Sequence, residues 1–378
     1  MKRAGAAAAL TVATWLAPFG AVADPPEWAQ AGRPAPPPEF LQPTLDAGLA
    51  PYRTSGAHGR LEGCAPPIVA ALAAQWMRAF QAREPGVRVE LSPPYLPPQG
   101  ALNPRLRDFL EGHLDFAFLT REMAASDVAQ FRRVHGFDPL LLPVSGGSFR
   151  HFGFVDAVAV VVHRNNPLQG LSLAQLDAIF SRTRHRGQAA PAVTWGELGL
   201  PEWTGRPVHV VGTGAWVGEE SARATFFRER VMDGAAQRGE WRDDGRPPDA
   251  GDAVVTEAVA ADPLAIGFTA MGHLTPGVRA IAIAVQPDSP LIEPSYENVA
   301  RATYPLSRVF YLALARKPGH TLRPALEAWT RFLVSKDGQA LVLAQGVFLP
   351  LREFQASQAL EKLSQFSGGV QPGFGFAP

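Results

Sequence analysis

The sequence predicts an α/β fold, and three observations carry the prediction. Short runs of apolar and β-branched residues alternate with longer runs whose apolar residues recur at helical spacing. One short run, DAVAVVVHR at residues 156–164, is almost wholly apolar, as a strand covered on both faces should be. Repeated strand–helix succession also lays parallel strands side by side, with helices on the sheet faces and ligand sites at the carboxyl ends of strands.

The elements follow in order. GRLEGC (59–64) reads as a strand and turn. PPIVAALAAQWMRAFQARE (66–84) reads as a helix that starts on proline. VRVELSP (87–93) is a strand, ALNPRLRDFLEG (101–112) a helix stopped by Gly112, and LDFAFLT (114–120) a strand. SDVAQFRRVHG (126–136) is a helix with Ser126 as cap and Gly136 as stop. After the buried strand come a helix, SLAQLDAIFS (172–181), capped by Ser172, and a strand, RPVHVVG (206–212). That strand enters a glycine-rich loop and the helix ESARATFFRERVM (220–232). GDAVVTEAVAAD (251–262) is a helix, AIGFTAM (265–271) and LSRVFYLALAR (306–316) are strands, and residues 323–346 carry one or two closing helices.

Composition bounds the function. The chain has 378 residues, 46% hydrophobic and 19% charged, which is ample for a large core. At roughly 150 residues per domain the length suggests two domains. The formal net charge is zero, so nothing points to nucleic acid or to an anionic membrane surface. The single cysteine, Cys64, excludes an internal disulfide. Residues 1–23 read as a secretory signal: Lys2 and Arg3, an apolar run, then Ala21-Val22-Ala23 as the cleavage pattern. The run is short and broken by Pro18, which argues against an anchor, and no later stretch is apolar and long enough to span a bilayer. Export to the periplasm is expected. Residues 24–54, proline-dense through Leu45, read as a linker or arm.

No catalytic pattern emerges. None of the nine histidines sits with a glutamate at zinc-hydrolase spacing, and there is no nucleophile elbow, Walker phosphate-binding loop or dinucleotide fingerprint. Cys64 reads as a structural residue in a strand–helix turn. Helix N-termini offer free N–H groups and a positive dipole end to anions. Candidate junctions are Gly63-Cys64-Ala65-Pro66, Pro98-Gln99-Gly100-Ala101, Leu119-Thr120-Arg121, the loop Ser145-Gly146-Gly147-Ser148, and GTGAWVGEESARATFF at 212–227. Each is equally readable as ordinary capping and turning. Trp195 and Trp203 read as packing residues, whereas Trp216 is placed to line or plug a cleft.

Four stretches carry a resemblance: VDAVAVVVHRNNPLQGLSLAQLDAIFS (155–181), RGQAAPAVTWGELGLPEWTGRPVHVVG (186–212), ADPLAIGFTAMG (261–272) and YPLSRVFYLALARKPG (304–319). From about Gly59 to about Pro350 the chain resembles the PstS-like, phosphate-type periplasmic substrate-binding proteins of ABC transporters. The resemblance implies a two-lobed type II periplasmic-binding-protein fold with mixed sheets flanked by helices and joined by crossing hinge strands. Lobe one would be residues 55–152 with 286–365, lobe two 153–285, and residues 366–378 a flexible tail. It implies a monomer without cofactor, metal, catalysis or nucleic acid, which holds phosphate and serves an ABC permease. Its ligand turns fall on Cys64 and Ala65, on Gly100 and Ala101, on Thr120 and Arg121, and on Glu220, Ser221 and Arg223.

The chain departs from the family at these turns. Hydroxyl and carboxylate groups are missing around Cys64, Pro66 removes a backbone donor, and the arginine usual before the fourth helix is absent. Thr120-Arg121 fits the family pair. Glu219 and Glu220 would stabilise the helix start by about 0.3–1 kcal/mol, yet a carboxylate 4 Å from an anion repels it by about 4 kcal/mol at an effective dielectric near 20. Two rival readings stay open. One is a divergent binding protein for a neutral or cationic solute met by Glu219 or Glu220. The other is a sensory or scaffold module whose cleft is blocked by Trp216 and the prolines of PPYLPPQG (93–100).

Overall fold

Short strands and helices open the fold in alternation. β1 (Gly59–Cys64) runs through Ala65 and Pro66 into α1 (Pro67–Arg83), followed by β2 (Val87–Leu91), α2 (Pro104–Leu110), β3 (Phe116–Leu119), α3 (Ala125–His135) and β4 (Leu140–Gly146). The computed structural model describes residues 43–92, 104–151, 155–212, 222–234, 237–242 and 252–365. The signal segment, the arm up to residue 42, Gly100, Ala101, Trp216, Glu219, Glu220, Ser221 and the tail 366–378 lie outside the described residues.

Pro67 takes the first position of α1, where its missing N–H costs no helical bond. Ser126 does not cap α3. The helix starts two residues earlier than that cap would place it, Ala124 holds the cap position without a side-chain bond, and Gly136 closes the helix at φ 77°.

The chain continues with β5 (Val158–His163), β6 (Gly170–Ser172), α4 (Leu173–Phe180) and β7 (His209–Val210). Ser172 caps α4 as expected, with Gln175 closing a reciprocal capping box. α5 (Ala222–Phe227) carries on as a π-helical turn over Arg228–Met232. Then come α6 (Asp252–Ala261), β8 (Ala265–Ala270), β9 (Val278–Ala280), β10 (Ala282–Ala284), α7 (Tyr296–Ala300) and β11 (Val309–Leu314). Three helices close the chain: α8 (Pro324–Val334), α9 (Lys336–Gln345) and α10 (Glu353–Gln365). The break between α8 and α9 falls on Ser335, whose hydroxyl accepts from the Gly338 N–H.

The strands form two main sheets. The first has the order β2-β1-β3-β11-β4, the second β7-β8-β5-β9, and β10 and β6 pair as a short ribbon. β2, β1 and β3 are parallel, whereas β11 is antiparallel to both β3 and β4, and β5 is antiparallel to both β8 and β9. The mixed sheets implied by the resemblance are present: the strand–helix succession gives the parallel strands β2, β1 and β3, and β11 returns from the second sheet instead of through a helical crossover. The architecture is mixed α/β with helices flanking the sheets.

Alternation along the first sheet feeds two cores. Phe116, Phe118, Phe310, Leu312 and Leu314 face Trp76, Phe80, Trp329 and Phe332, while Ala117, Leu119, Val309, Tyr311 and Ala313 face Phe109 and Phe131. The second sheet has its own core around Val158–Val162, Phe180, Phe226, Phe227 and Phe268. Trp195 is fully buried there with Trp203 edge-on to it at 5.9 Å, so both are packing residues.

Two segments join the sheets, one after β4 and one before β11. The Val158 N–H donates to the Leu306 carbonyl at 3.0 Å, the Gly147 N–H to the Arg308 carbonyl at 2.8 Å, and the Tyr304 hydroxyl to the Val158 carbonyl at 3.0 Å. Gly147 is required by this crossing, since a Cβ would lie 2.4 Å from the Val155 carbonyl oxygen and 2.8 Å from Arg308 Cβ. Ser145 to Ser148 is therefore no open hydroxyl-rich loop. Ser145 and Gly146 finish β4, Ser145 Oγ donates to the Gly146 carbonyl at 2.8 Å, and Ser148 Oγ donates to Asp156 at 2.6 Å.

Candidate functional site

At the carboxyl end of β3 the chain continues as Thr120, Arg121 and Glu122. Facing them is the π-helical turn that extends α5 from the core of the second sheet. Two ion pairs stitch these segments together in mirror order. Arg121 Nη1 donates to both Glu229 carboxylate oxygens at 3.0 and 3.1 Å, and Arg230 Nη2 donates to Glu122 Oε1 at 2.7 Å. The Tyr311 hydroxyl of β11 donates to the same Glu122 oxygen at 2.7 Å. Burial opposes the Glu122 charge, but Arg230 and the Tyr311 hydroxyl outweigh it and hold the carboxyl below its ordinary range. Burial pushes Glu229 the other way, above its ordinary value, against Arg121 and Arg228.

More arginines crowd the same seam. Arg228 binds both oxygens of Asp233 at 2.8 Å. Arg223 donates through Nη1 to Asp252 Oδ2, and Asp252 Oδ1 accepts from Thr269 Oγ1 and the Ala270 N–H, each at 2.8 Å. His273 Nε2 stands 3.6 Å from Asp252 Oδ2. Arg308, in the segment that crosses into β11, is 6% exposed. Its guanidinium lies 4.5 Å from the Phe226 ring centroid, and Nη2 reaches the Thr120 carbonyl at 3.3 Å. Burial pulls its pKa down to about 10, with Glu122 and Glu229 opposing, so it stays charged at neutral pH. Beside the crossing, Asp156 Oδ1 accepts from Ser148 Oγ at 2.6 Å and the His151 N–H at 2.9 Å, and Oδ2 accepts from the Gly272 N–H at 2.7 Å. Burial pushes this carboxyl up to about 7 against those bonds.

The sequence-predicted residues divide into three groups. Thr120, Arg121 and Arg223 come together at the seam, through Arg308 and the ion pairs above. Cys64 and Ala65 are buried at the start of α1, where Pro66 supplies no side-chain cap, and Cys64 packs in the core shared by Leu119 and Tyr311. Gly100, Ala101, Glu220 and Ser221 lie outside the described residues. Glu122, Glu229, Arg230 and Arg308 are the residues that sequence reasoning missed. Two signals pointed to them: the mirrored dipeptides Arg121-Glu122 and Glu229-Arg230, and an arginine at the mouth of the otherwise apolar strand VFYLAL.

Among the described residues no group of three histidine, cysteine or acidic side chains is placed to hold a metal ion, and no helix is long and apolar enough to cross a membrane. Guanidinium groups do not lose protons at neutral pH, so the seam arginines stay cationic and hold the carboxylates of Glu229, Glu122, Asp233 and Asp252 by ion pairs.

A family model described as the PBP superfamily domain matches residues 55–337. The phosphate-binding protein PstS of Pseudomonas aeruginosa is 29% identical over 328 residues, covering 84% of this chain and 92% of the relative. Protein SphX of Synechococcus elongatus is 22% identical over 253 residues, covering 66% of this chain and 67% of the relative. Among solved structures, PstS from Borrelia burgdorferi superposes with a TM-score of 0.51 at 12% identity, covering 78% of this chain and all of that one, a likeness of fold alone.

Proposed function

The chain belongs to the PBP superfamily, and on that premise we propose that it is the extracytoplasmic solute-binding component of a phosphate-type ABC uptake system. It holds inorganic phosphate between two lobes, residues 55–152 with 286–365 and residues 153–285, and delivers it to a permease. The observation that carries the reading is the arginine-rich seam between the two sheets, in a chain that resembles a phosphate-binding relative over most of its length.

The mechanism is closure. Thr120 and Arg121 stand on one side of the seam and Arg223 on the other, so an anion between them is reached from both. Cys64, Ala65, Gly100, Ala101, Glu220 and Ser221 are assigned to the same site as backbone donors and rim. The Arg121–Glu229 and Arg230–Glu122 pairs form across the seam and favour the closed arrangement. No bond is made or broken, and the protein is no enzyme. Residues 1–23 direct export and are removed after Ala23.

The test is isothermal titration of inorganic phosphate into protein purified from the periplasmic fraction, unfolded and refolded to strip carried ligand. Saturable binding at micromolar concentration or tighter is expected. A folded protein that gives no heat at millimolar phosphate refutes the assignment.

A further inference from the structure

The inference rests on the anion-binding reading above and asks which residue supplies the charge. Four seam arginines are each matched by a carboxylate: Arg121 by Glu229, Arg230 by Glu122, Arg228 by Asp233 and Arg223 by Asp252. Arg308 is the fifth, as deeply buried as Arg228, and among the described residues it has no carboxylate at ion-pair distance. Of the five N–H donors on a guanidinium, one is used among the described residues, at the long distance of 3.3 Å to the Thr120 carbonyl. Its Nε is buried and bonded to nothing among the described residues, and so is the hydroxyl of the preceding Ser307. A buried cation left with unmade hydrogen bonds is strongly unfavourable unless something of opposite charge completes it.

The carboxylates nearby cannot do so. Glu122 and Glu229 act on Arg308 at a distance, but each is already bonded to another arginine. The group is also held in place from several sides. The Arg308 carbonyl accepts from the Gly147 N–H at 2.8 Å, fixing the backbone, and the Phe226 ring covers one face of the guanidinium. An ion pair with a missing anion, on a pre-set fork between the end of β3 and α5, is the arrangement that a bound oxyanion would complete.

We propose that Arg308, with the Ser307 hydroxyl beside it, is the principal counter-charge of the bound oxyanion, and that Arg121 and Arg223 act mainly as closing and positioning groups. None of the four ligand turns that the resemblance assigns contains this pair, although it lies within one of the stretches that carry the resemblance, residues 304–319. Arg308 accordingly determines affinity for small oxyanions with two adjacent acceptor oxygens, phosphate first among them.

The test compares refolded wild type with Arg308→Met and Arg308→Lys by phosphate titration, together with the melting temperature of each ligand-free protein. Arg308→Met should weaken phosphate binding by about 30-fold or more, and Arg308→Lys, which keeps the charge but loses the fork, by an intermediate factor. Ligand-free Arg308→Met should melt no lower than wild type, because it removes a buried charge that lacks a partner. A purely structural arginine gives the reverse pattern: lowered melting with affinity retained. Phosphate affinity of Arg308→Met within about threefold of wild type overturns the role of Arg308 and leaves the uptake reading standing. Wild type that binds no phosphate overturns both. A crystal structure of the wild-type phosphate complex decides the matter even if Arg308→Met does not fold: a phosphate oxygen within about 3 Å of the guanidinium supports the assignment, and phosphate seated elsewhere refutes it.

Discussion

Replacing Asp156 by asparagine asks whether the crossing between the sheets carries a buried proton. Three donors meet this carboxyl, from Ser148, His151 and Gly272, yet burial still pushes its pKa up to about 7, and the nearby Asp252 charge adds to the push. In the unfolded chain the value is about 3.9. The native state therefore binds this proton more tightly than the unfolded state. The stability it contributes is fully present below about pH 4 and is lost as pH rises through about 7. A difference of about 3 pH units at roughly 1.4 kcal/mol each gives about 4 kcal/mol in all, of which about 2.5 kcal/mol falls between pH 5 and pH 8. Asparagine does not titrate, so the stability of wild type minus that of Asp156→Asn isolates the group, apart from its coupling to Asp252. Urea unfolding followed by tryptophan fluorescence at a series of pH values measures both curves. Wild type should lose about 2.5 kcal/mol relative to the variant from about pH 5 to about pH 8. A difference that stays level, or that grows in favour of wild type as pH rises, refutes the reasoning and means that the three donors hold the group as a carboxylate.

Three other substitutions test the seam and its supports. Glu122→Gln strands Arg230 and Tyr311 beside Arg308, so it should cost about 3–5 kcal/mol in urea unfolding, whereas a loss under about 1 kcal/mol would mean that water already screens the seam. Glu84 gathers the Tyr52 hydroxyl at 2.6 Å, the Ser55 hydroxyl at 2.9 Å and the Gly56 N–H at 3.1 Å. Burial opposes its charge, but the Ser55 N–H and these bonds outweigh it and lower its pKa. Glu84→Gln should therefore cost about 1–3 kcal/mol near pH 7, with the gap closing as pH falls below the ordinary glutamate value, in chemical unfolding at both ends of that range. Gly147→Ala drives a methyl group into the Val155 carbonyl and should lower stability by about 1–3 kcal/mol, read as a fall in melting temperature.

The succession of elements was legible because its signals are local. Gly112 and Gly136 stop their helices at φ 84° and 77°, and the apolar run in β5 is buried from Val158 to Val162 as its composition demands. Strand direction was not legible in the apolar pattern itself, and the mixed sheets followed only from the resemblance. An apolar run that packs on both sides looks the same whichever way it points, and β11 is turned round by the crossing that brings it back from the second sheet. Ser145 to Ser148 misled for a related reason. Serine and glycine mark loops when they face water, but here the glycine admits a second backbone and the hydroxyls bond inside the protein. Arg121 stood out in the sequence because it follows a strand end. Its partners did not, because both ion pairs join residues 108 apart in sequence, and no local pattern links them.

The carboxylates of the site carry the sharper lesson. Judged by position along the chain, an acid near an anion site counts against it, because like charges a few ångströms apart repel. In the folded protein Glu122, Glu229 and Asp252 each hold an arginine by hydrogen bonds, so their charge is largely spent on placing a cation. The quantity that decides affinity is therefore the balance left after pairing, not the number of acids. Among the described seam residues that balance is one guanidinium, on Arg308, in a setting where water is excluded and a single unmatched charge attracts strongly. An acid introduced within reach of Arg308, as Phe226→Glu would attempt, should abolish phosphate binding, while an acid added on the exposed surface should leave it unchanged. Titration of phosphate into the two variants separates the alternatives, and equal losses in both would show that net charge, not local pairing, governs the site.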